Sequence, residues 1–385
     1  MRIAQFTESY RPVINGAAVA VRLLSEELSR RHEVRVFAPR YPGFADDEAV
    51  LRFPSYRVPH QRDYPLAIPY SRRLHRAFAG SGFEVVHTHS PFALGQTGLR
   101  WARRHGVPVV TTYHTIYESY AHYAPYFPKA WVASFLRRLS RLYCDRCDVV
   151  AAPTAPIRDL LLEYGVRTPI HVVPTGLRLL PPAPPDPAFP RGRYGIPPDA
   201  PLALYAGRLA REKNLELLFA GFARVARELP VAWLLVCGSG PVEAETRRLA
   251  AATGAAERIV FTGFIPPEQM PPVYAAADVF AFSSLTDTQG LVLTEAKAAG
   301  LPAVAVDAYG PGQVVAHGED GLLTAPDVEA WSDALLHVLR DPAVRSQMRK
   351  RALERARDFT IEATAARYEE LYAEARERAG RRKRD

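Results

Sequence analysis

Two acidic residues, Asp287 and Glu295, lie eight positions apart around an apolar segment that follows a predicted buried strand. The strand is the run ADVFAFSS, the loop after it is LTDTQG, and LVLTEAKAAG has the composition of a helix. Gly300 and Pro302 are typical of residues that end a helix. We therefore expect Asp287 in the loop and Glu295 in the second helical turn, roughly 6 to 9 Å along the axis from the helix start.

The start of this predicted helix suits an anion. The amides of Gln289, Gly290 and Leu291 have no acceptors within the helix and favour negative charge nearby. Upstream, Arg208 and Lys213 in YAGRLAREKN follow another predicted strand, and a guanidinium fork beside an ammonium suits a diphosphate. Cations bind phosphates and carboxylates accept hydrogen bonds from sugar hydroxyls, so this set predicts a nucleotide-sugar site.

Each of these residues also has a plainer interpretation. Arg208 and Lys213 taken singly are ordinary surface charges. Glu295 could be a solvated helix residue, but its helix is mostly apolar, and a buried carboxylate needs a partner. Gly238 in CGSGP marks a third loop in which the backbone can approach a ligand.

Length and composition indicate the kind of protein that carries this site. The chain has 385 residues, of which 48% are hydrophobic and 23% charged, so we expect a soluble globular protein of about two or three domains. No segment approaches the roughly 20 apolar residues that span a bilayer. The opening MRIAQFTESY has no apolar signal-peptide core, and three cysteines are too few for a disulfide framework. These features predict a cytoplasmic protein.

Strands and helices alternate along the chain, which predicts parallel sheets in βαβ units. The alternation breaks at residues 174–201, a Pro- and Gly-rich stretch that we interpret as a linker. We predict an N-terminal domain of residues 1–178, a C-terminal domain of residues 179–365, and a helix and basic tail of residues 366–385 that crosses back. The two domains are predicted to face a cleft, with ligands at the carboxyl ends of the strands.

The net charge of +8 is unevenly divided. Residues 1–180 hold 24 basic and 14 acidic residues, whereas residues 181–385 hold 25 and 27. The cationic half suits a nucleic acid, an anionic membrane or an acidic small molecule, unless it only reflects a preference for arginine.

The motifs GRLAREKN and SLTDTQGLVLTEAKAAGLPAVA resemble those of retaining nucleotide-sugar glycosyltransferases of family 4, which have the GT-B fold of two Rossmann-like domains. The family signature of two glutamates separated by seven residues appears here as Asp287 and Glu295. The resemblance covers nearly the whole chain. An aspartate at the first position shortens the reach by one methylene, which affects the contact with the hexose rather than membership of the family.

The resemblance implies roles for residues on the C-terminal domain. Arg208 and Lys213 would hold the diphosphate, Asp287 the donor hexose and Glu295 the ribose hydroxyls. Phe264 and Ile265 in TGFIPP would line the base, although Ile265 is equally a candidate core residue. The predicted substrate-binding set is Gly16, Arg208, Lys213, Gly238, Phe264, Ile265, Asp287, Gln289, Gly290, Leu291 and Glu295.

Two residues of the N-terminal domain complete the implied site. Gly16 lies in the loop after the first strand and would let that loop approach the diphosphate, unless it is an ordinary turn glycine. His114 ends a predicted strand and would lie near the donor sugar, unless it is a structural histidine. The predicted catalytic residues are His114, Arg208, Lys213 and Asp287.

The segment HTIYESYAHYAP also resembles bacterial glucosyltransferases that act on diacylglycerol. Residues 125–146 form a candidate amphipathic helix, which suits a membrane interface or, alternatively, packing on the sheet. An anionic membrane surface is therefore an expected partner, with the protein peripheral on the inner face of the cell membrane. The predicted membrane-binding residues are Trp131, Phe135, Arg137, Arg138 and Arg141.

The predicted function is a retaining α-glycosyltransferase that moves glucose from UDP-glucose to a lipid such as diacylglycerol or a glycosyl-diacylglycerol. The alternatives are a GDP-mannose-dependent mannosyltransferase and a transferase to a soluble sugar. No Asp-x-Asp pair lies at a strand end, so we expect no metal and no cofactor, with Arg208 and Lys213 neutralising the leaving group. A dinucleotide-dependent oxidoreductase would need a GxGxxG after the first strand, which is missing. Nucleic acid is not an expected partner.

Overall fold

The computed structural model describes residues 1–44, 48–58, 61–123, 126–179, 184, 186 and 188–382. Three predicted segments extend outside them. Residues 180–183, 185 and 187 of the linker, residues 124–125 of the segment HTIYESYAHYAP and residues 383–385 of the basic tail lie outside the described residues. The chain divides into two compact units, one of Met1–Arg178 with Thr360–Asp385 and one of Leu179–Phe359. The chain therefore returns to the first unit at residue 360, whereas the sequence predicted that the segment crossing back would begin at residue 366.

The first unit is built on a seven-stranded sheet in the order β3-β2-β1-β6-β7-β8-β9, in which every pairing is parallel. A separate antiparallel hairpin pairs β4 with β5. The strands are β1 (Arg2–Phe6), β2 (Glu33–Pro39), β3 (Val50–Phe53), β4 (Ser55–Val58), β5 (Gln61–Ala67), β6 (Val85–Thr88), β7 (Val109–Thr112), β8 (Val149–Ala152) and β9 (Ile170–Val172).

Helices cover both faces of this sheet because side chains alternate along each strand. Ile3 of β1 packs on one side with α1 and the C-terminal helix α13. Phe6 packs on the other side against α2, α3 and the end of α4. The helices are α1 (Gly16–Leu28), α2 (Arg72–Gly80), α3 (Ala93–His105), α4 (Lys129–Cys144), α5 (Ala155–Glu163) and α13 (Ile361–Arg382), with a 3₁₀ helix at Tyr117–Tyr123.

The second unit is a six-stranded sheet in the order β12-β11-β10-β13-β14-β15, again with parallel pairs. The predicted parallel sheets of an α/β protein are therefore confirmed in both units. The strands are β10 (Leu202–Ala206), β11 (Trp233–Cys237), β12 (Ile259–Gly263), β13 (Val279–Phe282), β14 (Ala303–Val306) and β15 (Gly321–Thr324). The helices are α6 (Leu215–Glu228), α7 (Glu243–Ala251), α8 (Met270–Ala276), α9 (Leu291–Ala298), α10 (Pro311–Val314), α11 (Val328–Arg340) and α12 (Pro342–Ala356).

The strand order of each sheet reverses at its first strand. In the first unit β1 lies between β2 and β6, and in the second unit β10 lies between β11 and β13. The loops that leave the two strands at such a point run in opposite directions, and the space between them is where parallel sheets bind ligands.

A buried ion pair fixes the position of α9. Lys297 on this helix contacts Asp320, which precedes β15, and their side chains are 4% and 1% exposed. Asp320 also accepts a hydrogen bond from the amide of Ala316 at 2.9 Å, and Arg355 lies 3.1 Å from it. Burial lowers the pKa of Lys297, and the hydrogen bond from its ammonium group to Asp320 opposes that shift.

Removal of one partner should leave the other charge buried and uncompensated. We expect Asp320→Ala to lower the free energy of unfolding of the second unit by about 3–5 kcal/mol. Urea unfolding followed by tryptophan fluorescence measures the change. Glu319→Ala, at a mostly exposed neighbouring carboxylate, is the control and should stay within about 0.5 kcal/mol of the parent. Equal effects of the two substitutions would contradict a role of the pair in holding α9.

Candidate active site

The polar residues predicted for the second unit collect at the carboxyl ends of β10 and β13. Arg208 and Lys213 lie in the loop after β10, and Asp287 lies in the loop after β13. These two loops flank the point where the strand order reverses. The sheet topology therefore brings together residues that are more than 70 positions apart in the sequence.

Hydroxyl groups link the two loops directly. Ser283 Oγ donates a hydrogen bond to the carbonyl oxygen of Lys213 at 2.8 Å. The hydroxyls of Ser284 and Thr286 each donate to the carbonyl oxygen of Glu212 at 3.3 Å. These hydroxyls, all in the segment SSLT after β13, thus hold the 3₁₀ turn at Arg211–Lys213 in place. They also fix the position of the Lys213 backbone, from which its side chain extends.

Each predicted cation has a carboxylate partner. Lys213 Nζ lies 2.8 Å from both carboxylate oxygens of Asp287. Arg208 donates a hydrogen bond to Glu212, whose side chain is 1% exposed. Glu212 was not predicted as part of the site, since an acid four residues after an arginine has the spacing of an ordinary surface ion pair. Arg208 is therefore oriented by an acid of its own loop, and Lys213 by an acid of the neighbouring loop.

The turn before α9 is a tight backbone arrangement. Gly290 has a φ of 81°, in the left-handed region that favours glycine. Gly310 packs behind this turn, and a Cβ on it would lie 2.5 Å from the carbonyl oxygen of Asp287 and the amide nitrogen of Gln289. Gln289 is buried. The first amides of α9, which begins at Leu291, have no acceptor within the helix and can donate to an anion.

Glu295 lies in the second turn of α9, as predicted from the sequence. Its carboxylate accepts a hydrogen bond of 2.6 Å from the hydroxyl of Tyr274 on α8. Burial raises the pKa of Glu295, and the hydrogen bond from Tyr274 opposes that shift. Tyr274 was not identified from the sequence because α8 comes before β13 and α9 after it, so the contact between Tyr274 and Glu295 depends on how the two helices pack. The hydrogen bond between Glu295 and Tyr274 is separate from the ion pair between Lys213 and Asp287.

Two further loops contribute to the same edge of the sheet. Gly238 follows β11, and a Cβ there would lie only 1.9 Å from the carbonyl oxygen of Gly207, so the two loops can approach only with glycine at this position. Phe264 is 55% exposed, whereas Ile265 is 9% exposed and packs in the core with Met270. Of the two interpretations left open for Ile265, the packing favours a core residue.

In the first unit, Gly16 begins α1 and Asn15 caps that helix by accepting a hydrogen bond from the amide of Ala18 at 2.8 Å. His114 follows β7, and its Nε2 lies 2.9 Å from Nδ1 of His89. His89 was not predicted as a partner of His114. Burial lowers the pKa of His114 to about 4.

The predicted membrane-binding residues lie on α4. Trp131 and Phe135 are 60% and 53% exposed, and their rings stack 6.1 Å apart. The helix packs inward through Val132, Ser140, Tyr143 and Cys144. Arg137, Arg138 and Arg141 lie near the aromatic residues along the same helix, and Arg137 pairs with Glu118 at 3.1 Å.

Two other features were considered for the described part of the chain, a metal site and a membrane-spanning helix, and both are absent there. Among these residues, no group of three or more His, Cys, Asp or Glu side chains is placed to hold a metal ion. No described helix is long and apolar enough to cross a membrane.

Comparison with known proteins identifies both halves of the chain. Residues 189–355 match the model of glycosyl transferases group 1, and residues 14–179 match that of glycosyltransferase family 4. An alpha-monoglucosyldiacylglycerol synthase of Streptococcus pneumoniae is 31% identical over 79% of this chain and 71% of that protein. The enzyme of the same name from Acholeplasma laidlawii is 28% identical over 97% and 96%. A GDP-mannose-dependent alpha-mannosyltransferase of Mycobacterium tuberculosis is 34% identical over 84% and 83%.

Solved structures resemble the chain over nearly its full length. Sucrose-phosphate synthase from Thermosynechococcus elongatus has a TM-score of 0.78 and 25% identity, and the match covers 97% of this chain and 98% of that one. HepE from Anabaena, solved with UDP and glucose, has a TM-score of 0.76 and 18% identity, with coverage of 97% and 99%.

The low pKa of His114 gives a direct prediction. The imidazole should remain neutral from pH 8 down to pH 5 and take up a proton only as the pH falls through about 4. In an unfolded chain it would be protonated below about 6.5, so acid favours the unfolded state in the window between the two values. A titration of ¹⁵N-histidine-labelled protein by NMR, with His114 assigned from a His114→Gln spectrum, checks this. A midpoint near 6.5 would show that the ring is not buried as described.

Proposed function

The chain belongs to glycosyltransferase family 4 and has the GT-B fold, and on that premise we propose that it transfers glucose from UDP-glucose to a membrane lipid such as diacylglycerol or a glycosyl-diacylglycerol. Two of the relatives compared above, at 31% and 28% identity, are named as synthases of alpha-monoglucosyldiacylglycerol. The observation that carries the lipid part of the proposal is the exposed aromatic stripe on α4, formed by Trp131 and Phe135.

The donor would bind at the edge formed by the loops after β10 and β13. Arg208, Lys213 and the first amides of α9 would contact the diphosphate, since all three donate hydrogen bonds or positive charge. Asp287 would accept hydrogen bonds from the hexose and Glu295 from the ribose. In support, Asp287 is held by Lys213 at 2.8 Å and Glu295 by Tyr274 at 2.6 Å, so both carboxylates are oriented before a ligand arrives.

In the proposed reaction, the bond between C1 of the hexose and the phosphate oxygen breaks, and a bond from C1 to the acceptor oxygen forms on the same face. The leaving phosphate takes the acceptor proton, which gives retention without a carboxylate nucleophile. Arg208 and Lys213 would stabilise the charge that develops on the nucleoside diphosphate. These fixed cations are the reason for proposing a transfer that needs neither a metal ion nor another cofactor.

The acceptor side of the proposal rests first on the outward stripe of α4. An apolar line on an ordinary surface helix faces the core, but Trp131 and Phe135 point away from it while Val132 and Tyr143 fill the core positions. Phe127 extends the stack to the N-terminal side, with its ring 5.8 Å from that of Trp131. Tryptophan and phenylalanine beside arginine are the combination that suits a membrane interface.

Charge on the neighbouring helices supports the same partner. The helices α2, α3 and α4 pack on one face of the first sheet, and none of the three contains an aspartate or a glutamate. The helices α1 and α13 on the opposite face carry several glutamates. Each cation near an anionic bilayer contributes about 1 kcal/mol of attraction. On the same face, α5 carries Asp159 and Glu163, and Arg137 and Arg141 pair with Glu118 and Asp145. The cations of α2, α3 and α4 are Arg72, Arg73, Arg76, Arg100, Arg103, Arg104, Lys129, Arg137, Arg138 and Arg141.

The second candidate function is transfer of mannose from GDP-mannose. It is favoured by the 34% identity to a mannosyltransferase that is named for that donor. The base would contact the half-exposed ring of Phe264, and a stacked ring accepts either base. Radiolabel transfer from UDP-glucose and from GDP-mannose, into a lipid extract and into water-soluble sugars, separates the four combinations. Our proposal requires label from UDP-glucose in the lipid fraction, and it fails if transfer is equally fast without lipid.

The role of Lys213 at the diphosphate gives a quantitative prediction. Lys213→Met should lower kcat by about 10²–10³-fold, because it removes a charge that acts on the leaving group. Lys350→Met, at an exposed lysine on α12, makes the same chemical change away from the site and should leave kcat unchanged. Similar activity of the two variants would exclude Lys213 from the diphosphate site.

Membrane attachment gives a second prediction. Replacement of Trp131 and Phe135 together by serine should lower partitioning to vesicles of phosphatidylglycerol by about 10–100-fold, since both rings lose their burial in the bilayer surface. Co-sedimentation measures the bound fraction, and vesicles of phosphatidylcholine alone should bind the parent protein more weakly. Leu162→Ser, at a similarly exposed residue on α5, is the control. Unchanged binding of the double variant would exclude α4 as the contact.

A further inference from the structure

Tyr274 on α8 has its ring in the core of the second unit and its hydroxyl at the candidate active site. The residue is 4% exposed, and the centroid of its ring lies 6.2 Å from that of Phe280 on β13. Cys237 and Leu293 belong to the same apolar cluster. A buried hydroxyl is costly unless it is hydrogen-bonded, and the hydroxyl of Tyr274 donates its hydrogen bond to Oε2 of Glu295 at 2.6 Å. The contact with Glu295 therefore accounts for a tyrosine at this core position.

The two carboxylate oxygens of Glu295 differ in their surroundings. Oε2 accepts from Tyr274, whereas Oε1 has no hydrogen-bond donor among the residues that the structure describes. Oε1 is also not one of the fully buried side-chain atoms that lack a partner, so it is accessible to solvent. A carboxylate oxygen can accept two hydrogen bonds, and the two adjacent hydroxyls of a ribose can donate two. One oxygen thus binds the protein, and the other is available to a ligand.

Glu295 can accept from both hydroxyls only while it is ionised, because a protonated carboxyl is itself a donor. Burial raises the pKa of Glu295, and the hydrogen bond from Tyr274 opposes that shift. Burial also raises the pKa of the Tyr274 hydroxyl well above its usual value, so this group stays protonated and remains a donor. Tyr274 therefore extends the pH range over which Glu295 is an acceptor.

The other elements packed against α9 carry few groups that could replace Tyr274 in this role. The strands β13 and β14 and the helix α10 contain no ionisable residue. Cys237 on β11 is a neutral thiol, since burial raises its pKa to about 12. Lys297 lies two positions beyond Glu295 and so on nearly the opposite face of α9, where it pairs with Asp320. Arg355 of α12 contacts the same Asp320 at 3.1 Å.

We propose that Tyr274 is a specificity-determining residue of the nucleotide site: its hydroxyl occupies Oε2 of Glu295 and leaves Oε1 as an ionised acceptor for the two ribose hydroxyls. The site then selects a ribonucleotide over a nucleotide that lacks these hydroxyls. This role rests on the proposed function, since the ribose belongs to the donor proposed above. Tyr274 acts through Glu295 and is a positioning residue, not a catalytic one.

Nucleotide binding tests this role without an assay of transfer. Isothermal titration calorimetry at pH 7.5 compares UDP with 2′,3′-dideoxy-UDP, which lacks both ribose hydroxyls. The parent protein should prefer UDP by about 100-fold, and Tyr274→Phe should lower this preference about 10-fold without changing the affinity for 2′,3′-dideoxy-UDP. Tyr368→Phe is the matched control, because it removes the hydroxyl of a buried tyrosine that contacts Thr112 in the first unit. This variant should keep the parent preference.

The pH dependence of the preference separates an effect on Glu295 from a general structural effect. The preference for UDP over 2′,3′-dideoxy-UDP should fall as the pH falls through the pKa of Glu295, because the protonated carboxyl no longer accepts both hydroxyls. Protonation of the diphosphate cancels in this ratio, since both nucleotides carry the same diphosphate. In Tyr274→Phe the fall should begin at a higher pH. In Glu295→Gln the preference should be low and independent of pH.

Two results would overturn the proposal. One is a preference in Tyr274→Phe that equals that of the parent protein, including the case in which both nucleotides lose affinity equally. The other is an equal effect of Tyr274→Phe in the parent protein and in Glu295→Gln, since the hydroxyl would then act independently of the carboxylate.

Failure of the proposed donor gives a different result. If the parent protein binds GDP and not UDP, the donor proposed above is wrong, and the comparison of GDP with 2′,3′-dideoxy-GDP decides the role of Tyr274. A parent protein that binds neither nucleotide would refute both proposals.

Discussion

The ion pair between Lys213 and Asp287 joins two loops at the point where the strand order of the second sheet reverses. The parallel sheet sends the loops after β10 and β13 to the same edge, and the ammonium group bound to both carboxylate oxygens holds them in register. The hydroxyls of the segment after β13 add backbone contacts to the same turn. The start of α9 and the position of Glu295 follow from this arrangement, and the buried pair of Lys297 and Asp320 fixes the other side of the helix.

The two units divide the tasks of the proposed reaction. The second unit carries paired charges at one edge, which suits a ligand with both phosphates and hydroxyls. The first unit carries three basic helices without acidic residues, α2, α3 and α4, on one face of its sheet, and the stripe of Trp131 and Phe135 lies on α4. The excess of basic residues in the first half of the sequence is therefore not spread evenly over the first unit. It is concentrated where an anionic surface could be approached.

The parallel sheets and the position of Glu295 in α9 could be predicted from the sequence, because strand composition, helix-ending residues and the 291–298 pattern are local features. Three features of the site could not. Glu212 as the partner of Arg208 looked like an ordinary i,i+4 surface pair. The support that Gly310 gives to the turn at Asp287 depends on a backbone contact between segments about 20 residues apart. His89 as the partner of His114 depends on the adjacency of β6 and β7.

The amphipathic pattern of α4 shows a different limit. Its spacing predicted an apolar line but not which way that line faces, and both a membrane contact and packing on the sheet were compatible with it. The structure places Val132, Tyr143 and Cys144 inward and leaves Trp131 and Phe135 outside. Burial of a second set of apolar residues decides the orientation, and that set is visible only once the sheet against which it packs is known.

The central claim is that the edge between the loops after β10 and β13 holds the diphosphate of a nucleotide-sugar. A crystal structure of the protein with UDP-glucose tests it most directly. We expect phosphate oxygens within hydrogen-bonding distance of Arg208, Lys213 and the first amides of α9, with the ribose at Glu295. A diphosphate bound at any other surface of the second unit, with these side chains unoccupied, would contradict the account.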